Sequence, residues 1–220
     1  MTTKPTFAVV LSGCGVYDGA EIHEAVLTML AIDRHGGSYH CFAPNVASRD
    51  VVDHLSGKPA DETRNVLVES ARIARGRIRD LAAFDASAFD VLVFPGGFGA
   101  AKNLSSFAVD GPECTVEPSV ERAIKAMAAA GKPIGALCIA PAIIARVLGG
   151  VELTIGSDAG TALAIEQMGG HHRNTGHCEV VVDRAHKVVT SPCYMLDASI
   201  AQIADGADAA VRALLELVKK

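Results

Sequence analysis

The sequence is poor in aromatic residues and has no tryptophan, and no apolar run approaches the roughly 20 residues that a membrane-spanning helix requires. None of the six cysteines forms a C-x-x-C pair, which argues against a zinc ribbon or a thioredoxin-type dithiol. The first residues, Met1 to Pro5, lack the layout of a signal peptide, and strand-like residues begin at Phe7. We therefore expect a cytoplasmic protein with no membrane partner.

Neither sign of charge dominates the chain, since 20 Lys and Arg residues against 25 Asp and Glu residues give a formal net charge of -5. This balance argues against nucleic acid as the main partner. No two histidines have the i, i+4 spacing of a helical metal site, so we assign neither a metal nor a cofactor. Half of the 220 residues are apolar, which is enough for a sizeable core, and we expect one domain over residues 1–220.

Short apolar segments alternate with longer helical patterns. The predicted strands are Phe7–Leu11, Ser38–Phe42, Val91–Phe94, Ile134–Leu137, Glu152–Ile155, Glu179–Val182 and Val188–Thr190. The predicted helices are Glu21–His35, Glu62–Arg75, Val116–Ala130, Pro141–Leu148, Thr161–Met168 and Asp197–Val218. Strands that are apolar at nearly every position, separated by helices, indicate a doubly wound α/β fold with a mostly parallel sheet sandwiched by helices. We expect the last two strands to form a hairpin at one sheet edge, and Asn45 to Asp61 to be a loop insertion.

The segment from Lys132 to Pro141 runs from an apolar strand directly into Cys138 and then into an alanine-rich helix. Such an abrupt turn points the sulfur out of the sheet, close to the first N–H groups of the helix. Those groups and the helix dipole favour the thiolate, which is the nucleophilic form of cysteine. Cys138 is therefore the candidate nucleophile. The alternative is an ordinary buried thiol, as most cysteines of a reducing compartment are.

A glycine-rich turn after the third predicted strand supplies candidate donors for an oxyanion. Pro95-Gly96-Gly97 leaves the sheet at the same edge as Cys138, so the backbone N–H of Gly97 can join that of Ile139. Gly96 is a further candidate for contact with the substrate. The alternative is a tight turn with only a structural role. The cluster lacks the G-x-G-x-x-G spacing of a dinucleotide site.

Proton transfer needs an acid–base group, and the helix after the first strand begins with Glu21 and Glu24. Acidic residues in a first turn also stabilise a helix simply by opposing its dipole. A helical wheel places Glu24 opposite the apolar stripe of this helix, which suits a residue that faces solvent. That stripe contains Ile22, Val26, Met29 and Leu30.

Histidine is the usual partner of a nucleophilic cysteine, but no histidine has an obvious place beside Cys138. We expect His171 and His172 in an exposed loop. His177 and Glu179 permit a third interpretation, a glutaminase-type triad with Cys138.

Several of these motifs resemble one family. The segment Gly135–Pro141 resembles the cysteine turn of the PfpI-like branch of the class I glutamine amidotransferase-like superfamily. Pro95-Gly96-Gly97 with Lys102-Asn103-Leu104 resembles its oxyanion turn and following helix, and Glu24 matches its active-site glutamate. Within this branch, further segments resemble the ElbB-like isoprenoid biosynthesis glyoxalases: Leu11–Gly19, Thr63–Leu67, Glu113–Val116 and Thr190–Met195.

The resemblance implies a flavodoxin-like α/β fold and a homodimer or higher homo-oligomer. It also implies a weak glyoxalase that needs neither metal nor glutathione and converts glyoxal, or another small 2-oxoaldehyde, to the 2-hydroxy acid. Cys138 would form a hemithioacetal held by Gly97 and Ile139, and Glu24 would shuttle the proton. Because a carboxyl beside a thiolate favours its protonated form, the pKa of Glu24 should rise.

The chain departs from the better glyoxalases of the branch at one point. Those proteins often have a histidine after the cysteine or in a neighbouring loop, whereas Ile139 follows Cys138 here. This motivates the alternative function, a cysteine-based redox or metabolite-sensing regulator linked to isoprenoid metabolism with weak or no turnover.

Overall fold

A seven-stranded sheet forms the centre of the computed structural model, which describes residues 4–218. The described residues form these strands: β1 (Thr6–Val10), β2 (Ser38–Ala43), β3 (Val52–Asp53), β4 (Lys58–Pro59), β5 (Ile78–Asp80), β6 (Val91–Phe94), β7 (Ile134–Leu137), β8 (Glu152–Leu153), β9 (His171–His172), β10 (Val181–Asp183) and β11 (Val188–Ser191). The sheet order is β10-β11-β7-β6-β1-β2-β5. All neighbours are parallel except β10 and β11, which form the expected antiparallel hairpin.

Helices cover both faces of this sheet. They are α1 (Ile22–Arg34), α2 (Val66–Ile73), α3 (Phe98–Lys102), α4 (Phe107–Asp110), α5 (Pro118–Ala129), α6 (Pro141–Leu148), α7 (Ala159–Gln167) and α8 (Ile200–Val218). The α1 and α8 helices pack with Phe7 and Val9 on one face, whereas α5 and α6 pack with Ala8 and Val10 on the other. Because side chains of a strand alternate between faces, burial on both sides makes the strands apolar throughout. The predicted doubly wound, flavodoxin-like fold is confirmed.

Capping side chains set the start of two helices later than the sequence pattern predicts. The side chain of Asn65 accepts a hydrogen bond from the Val68 N–H (3.0 Å), so α2 begins at Val66 rather than at Glu62. The side chain of Glu117 accepts from the N–H groups of Ser119 and Val120, so α5 begins at Pro118. These acceptors satisfy backbone donors that the first turn of a helix leaves unpaired.

Two parts of the strand prediction are wrong. The segment Glu152–Ile155 does not join the main sheet; its first two residues form β8, which pairs with β9. His171 and His172 are therefore strand residues rather than loop residues. The edge strand β5 went unpredicted because its three residues include two charged ones, Arg79 and Asp80, and Arg79 lies over the ring of Phe42 (4.8 Å).

The expected insertion, residues 45–61, is a loop that contains the short hairpin of β3 and β4. Asn103 links this loop to the connection between β1 and α1. The side-chain amide of Asn103 donates to the carbonyl oxygens of Ser12 and Asp18, both at 2.8 Å, and its oxygen accepts from the Arg49 N–H (2.9 Å). Asp18 also accepts from the Val52 N–H (2.8 Å). No helix within residues 4–218 is long and apolar enough to cross a bilayer.

Candidate functional site

Cys138 lies at the carboxyl edge of the sheet, directly after β7 and three residues before α6. Its backbone has φ 58°, a left-handed conformation that residues other than glycine rarely adopt. The Cys138 N–H donates to the Ser191 carbonyl oxygen at the end of β11 (2.9 Å), which holds the turn in register with the neighbouring strand. The side chain is buried, with 7% of the residue exposed. The strand-to-helix turn thus carries its cysteine in a strained conformation, as expected of a functional position.

Glu24 lies in the first turn of α1, on its inward face, where it is completely buried against the same sheet edge. Its Oε2 accepts a hydrogen bond from the Gly96 N–H (2.9 Å), and its Oε1 accepts from the Tyr194 N–H (3.1 Å). The carboxyl group also lies beside the side chain of Cys138, since a Cβ on Gly96 would be within 2.6 Å of both Oε2 of Glu24 and the Cβ of Cys138. Three chain segments, after β6, β7 and β11, therefore converge on one carboxyl group.

The helical-wheel expectation that Glu24 faces solvent is wrong, because three of the four residues in the apolar stripe of α1 face away from the core and only Met29 is buried. Ile22, Val26 and Leu30 are 42%, 45% and 38% exposed. The helix instead packs through smaller residues such as Ala25, which lets it approach the sheet and α8 closely. A wheel assumes that the most apolar face is buried. In α1 the buried face carries the charged residue.

Gly97 and Ile139 belong to the two turns that meet at Cys138, one after β6 and the other after β7. Their backbone N–H groups lower the pKa of the Cys138 thiol. Gly97 has φ 97°, and a Cβ on it would lie 2.3 Å from the Glu21 nitrogen. The structure therefore brings the two expected oxyanion donors to the reactive atom.

Gly96 has a different place from the one expected. Its N–H group is engaged by Glu24, so it is not available to a substrate oxygen. A Cβ at Gly96 would lie 2.3 Å from the Cβ of Cys138 and 2.6 Å from Oε2 of Glu24. The absence of a side chain at this position is what lets the carboxyl group and the thiol meet. Gly96 thus positions the pair instead of contacting the substrate through its N–H group.

The electrostatics of the pair follow from its burial. Loss of water raises the pKa of Glu24 to about 8, the charge of Glu21 adds to the rise, and hydrogen bonds from Tyr194, Gly96 and Cys138 oppose it. Burial, followed by the negative charge of Glu24, raises the pKa of the Cys138 thiol well above its usual value, although Gly97 and Ile139 lower it. The expected rise at Glu24 is confirmed. The expectation that the resting cysteine is a thiolate is wrong, because burial outweighs the two N–H donors.

Interacting groups of this kind lose their protons in steps that belong to the pair. Near neutral pH both groups are protonated. Above about pH 8 the pair holds one proton, which either the carboxyl or the sulfur can carry. The arrangement is suited to passing a proton between Glu24 and an atom bound at the sulfur.

Sequence reasoning missed Tyr194 as a neighbour of the site. Besides its N–H contact with Glu24, its hydroxyl lies 2.9 Å from Nδ1 of His23, a half-exposed residue on α1. The sequence signal was present only in the family-like segment Thr190–Met195. The glutaminase-type triad gains no support from the geometry, because the Glu179 carboxylate accepts from the Gly176 N–H (2.6 Å) and His177 is exposed.

Metal binding was not expected, and among the described residues no group of three or more His, Cys, Asp or Glu side chains is placed to hold a metal ion. At this edge of the sheet the structure places a thiol, a carboxyl group and backbone N–H groups.

This chain is similar in sequence and structure to several named proteins. No family model matches it. A human protein named glutamine amidotransferase-like class 1 domain-containing protein 3, mitochondrial, is 51% identical over 97% of this chain and 83% of its own length. A crystal structure of an isoprenoid biosynthesis protein with an amidotransferase-like domain from Ehrlichia chaffeensis is 39% identical, with TM-score 0.91, over 97% of this chain and 99% of that one.

A ThiJ/PfpI domain protein from Brachyspira murdochii shares the fold at 15% identity and TM-score 0.59, over 97% of this chain and 99% of that one. The cytoplasmic location expected from the sequence is contradicted, since the curated relatives are named as mitochondrial proteins. Composition and the first few residues carried that expectation, and neither reports a destination reliably. At 51% identity over nearly its whole length, the chain belongs to the family of glutamine amidotransferase-like class 1 domain proteins that includes the ES1 proteins.

Proposed function

We propose that this protein is a cofactor-independent glyoxalase of the ElbB-like type, which converts glyoxal and other small 2-oxoaldehydes to 2-hydroxy acids. The observation that carries the proposal is the convergence of the Cys138 side chain, the buried Glu24 carboxyl and the glycine turn after β6 at one edge of the sheet. The N–H groups of Gly97 and Ile139 lower the pKa of the thiol there. This set provides a nucleophile, a proton carrier with a pKa of about 8, and two donors for an oxygen anion.

The first step is addition of the thiol to the aldehyde. Glu24, in its ionised form, accepts the thiol proton as the sulfur bonds to the carbonyl carbon. The carbonyl oxygen takes up negative charge within reach of the Gly97 and Ile139 N–H groups, and Glu24 returns the proton to that oxygen. The product is a hemithioacetal on Cys138. Because Gly96 and Tyr194 hold both oxygens of Glu24, the carboxyl group is already oriented for each transfer.

The second step moves one proton between the two carbons of the substrate. Glu24 removes the proton from the hemithioacetal carbon while the neighbouring carbonyl oxygen takes up a proton, which gives an enediol. Glu24 then delivers its proton to the neighbouring carbon as the hemithioacetal hydroxyl loses its own proton and becomes the thioester carbonyl. The result is a thioester of the 2-hydroxy acid. Water then breaks the C–S bond, which releases glycolate from glyoxal and restores the thiol. The net change is addition of one water molecule, with no external oxidant or reductant.

Two variants test the assignment, with turnover measured in the absence of glutathione and in the presence of a chelator. Cys138→Ala should abolish conversion of glyoxal while the circular dichroism spectrum is retained. Glu24→Gln should reduce turnover by a factor on the order of 10² to 10⁴, as expected for loss of a general acid–base group. Cys41→Ala and Glu121→Gln, which change residues with no contact to Cys138, are the matched controls. Turnover by Cys138→Ala close to that of the parent would remove the nucleophile from the scheme.

The regulator hypothesis makes a different prediction. Its motivation is the missing histidine, and it requires Cys138 to react with peroxide faster than with aldehydes. The raised thiol pKa opposes fast oxidation, since the thiolate is the form that peroxide attacks. Intact mass after mild peroxide separates the two: rapid sulfinic acid formation at Cys138 with negligible glyoxal turnover would favour the regulator. The 39% identical isoprenoid biosynthesis protein supports a link to that metabolism under either function.

A further inference from the structure

Three of the six cysteines share an unusual backbone conformation. Cys138, Cys178 and Cys193 have φ of 58°, 64° and 42°, and only two other non-glycine residues of the described chain have a positive φ. Such conformations persist where the surrounding structure enforces them, and they concentrate at functional positions. Cys138 is accounted for by the proposed chemistry. The other two cysteines are not.

Cys178 and Cys193 lie against the same turn of α8. A Cβ placed on Gly206 would be 3.8 Å from the sulfur of Cys193 and 3.9 Å from the Cα of Cys178. The Cys178 thiol donates to the carbonyl oxygen of Gln202, one helical turn before Gly206 (3.6 Å). The helix places no side chain at Gly206, and the nearest atom to that position is Oγ of Ser191, at 3.2 Å.

Ser191 joins the two cysteines from the other side. Its hydroxyl donates to the carbonyl oxygen of Glu179, the residue after Cys178 (3.1 Å), and accepts from the Cys193 thiol (4.0 Å). The two cysteines differ in access, because Cys178 is partly exposed whereas Cys193 is buried. An external reagent therefore meets Cys178 first.

The pair is also connected to the candidate site through the backbone. Cys193 immediately precedes Tyr194, whose N–H donates to Oε1 of Glu24 (3.1 Å). Ser191, which contacts the Cys193 thiol, provides the carbonyl oxygen that accepts from the Cys138 N–H (2.9 Å). A change in the position of Cys193 must move at least one of these contacts.

We propose that Cys178 and Cys193 form a reversible intramolecular disulfide whose formation weakens the hold of Tyr194 on Glu24. The oxidant is a low-molecular-weight disulfide. The Cys178 thiolate attacks it, forming a mixed disulfide and releasing one thiol; the Cys193 thiolate then attacks the Cys178 sulfur and releases the second. Two protein thiols lose two electrons, and the external disulfide becomes two thiols. The disulfide itself does not depend on the proposed glyoxalase function.

Glutathione disulfide tests the bond directly. The whole protein is oxidised at about pH 8.5 for hours, because burial raises the pKa of the Cys193 thiol and slows the second step. Free thiols are then blocked with N-ethylmaleimide and disulfide-linked peptides are identified by mass spectrometry. We expect a Cys178–Cys193 peptide in the parent, in Cys138→Ala and in the control Cys114→Ser. Cys178→Ser should lose it, and because Cys178 is partly exposed this variant should fold even if Cys193→Ser does not.

A parent protein that stops at a mixed disulfide on Cys178, or that links Cys193 to Cys138 instead, would overturn the pairing. The effect on the site is measured as the rate of iodoacetamide labelling of Cys138 near pH 8, which requires no glyoxal turnover. Loss of the Tyr194 donor raises the pKa of Glu24, so labelling of the oxidised parent should fall roughly twofold, as a rise of about half a unit from a pKa of about 8 requires. The Cys178→Ser variant should show no change on oxidation. Equal rates in oxidised and reduced parent would refute the coupling.

Discussion

The buried Glu24 carboxyl should make the stability of this protein fall as the pH rises from about 4.5 to about 8. In the unfolded chain the group ionises near its ordinary value of 4.5, whereas in the folded protein it keeps its proton up to about 8. Over that interval the folded state binds more protons, so raising the pH favours unfolding. At 1.36 kcal/mol per pKa unit, the contribution costs roughly 1 kcal/mol at pH 5 and about 3 kcal/mol at pH 7.

Glu24→Gln isolates this contribution, because glutamine does not ionise. The amide NH₂ cannot accept from a backbone N–H, so one of the donors Gly96 and Tyr194 loses its partner, at a cost of about 1 to 3 kcal/mol that does not vary with pH. The stability of the variant relative to the parent should therefore improve by roughly 2 to 3 kcal/mol between pH 5 and pH 7.

Urea unfolding at a series of pH values, followed by circular dichroism under reducing conditions, measures both curves. The exposed Glu121→Gln substitution on α5, which loses only the ion pair with Lys125, should run parallel to the parent. A difference between the parent and Glu24→Gln that stays constant from pH 5 to pH 8 would show that Glu24 ionises normally in the folded protein, and the proton-carrier argument would fail.

Three further predictions concern the same edge of the sheet. Labelling of Cys138 by iodoacetamide in the reduced protein should accelerate as the pH rises through about 8, where the pair loses its first proton; a profile that is flat from pH 7 to pH 9 would contradict the coupled titration. Gly97→Ala should lower both turnover and thermal stability, since its Cβ would lie 2.3 Å from the Glu21 nitrogen, whereas Gly160→Ala, whose Cβ would have no neighbour closer than 3.6 Å, should leave both unchanged. Light scattering should give at least twice the mass of one chain, as the resemblance implies; a monomer at micromolar concentration would end that expectation.

The sequence alone predicted the parts of the fold that depend on local apolar pattern. Central strands such as β6 and β7 are buried on both faces, so nearly every residue is apolar and the pattern is unambiguous. The edge strand β5 has only three residues, two of them charged, and its pairing with β2 is decided by tertiary contact rather than by composition. The segment at Glu152–Leu153 is strand-like in sequence, but its partner is β9 and not the main sheet.

Some parts of the candidate site could also be predicted from the sequence and others could not. The turn at Cys138 and the glycines after β6 were predicted to lie together because strand-to-helix turns at one sheet edge converge. The protonation state of Cys138 could not be predicted from the sequence, since it depends on the burial of the thiol and on the negative charge of Glu24 beside it. The orientation of Glu24 was mispredicted because α1 is apolar on its outer face. The contact with Tyr194 spans 170 residues of sequence, and no local pattern reports it.

At Cys138 the residue that the proposed chemistry requires is not the residue that the backbone conformation favours. A glycine there would adopt φ 58° without the steric cost that a β-carbon imposes, a cost of order 1 kcal/mol. Cys138→Gly would remove that steric cost, together with a buried side chain and the reactive sulfur. Engineering for stability should therefore keep Cys138 fixed, because the residue that best fits this backbone conformation, glycine, would leave the protein inactive.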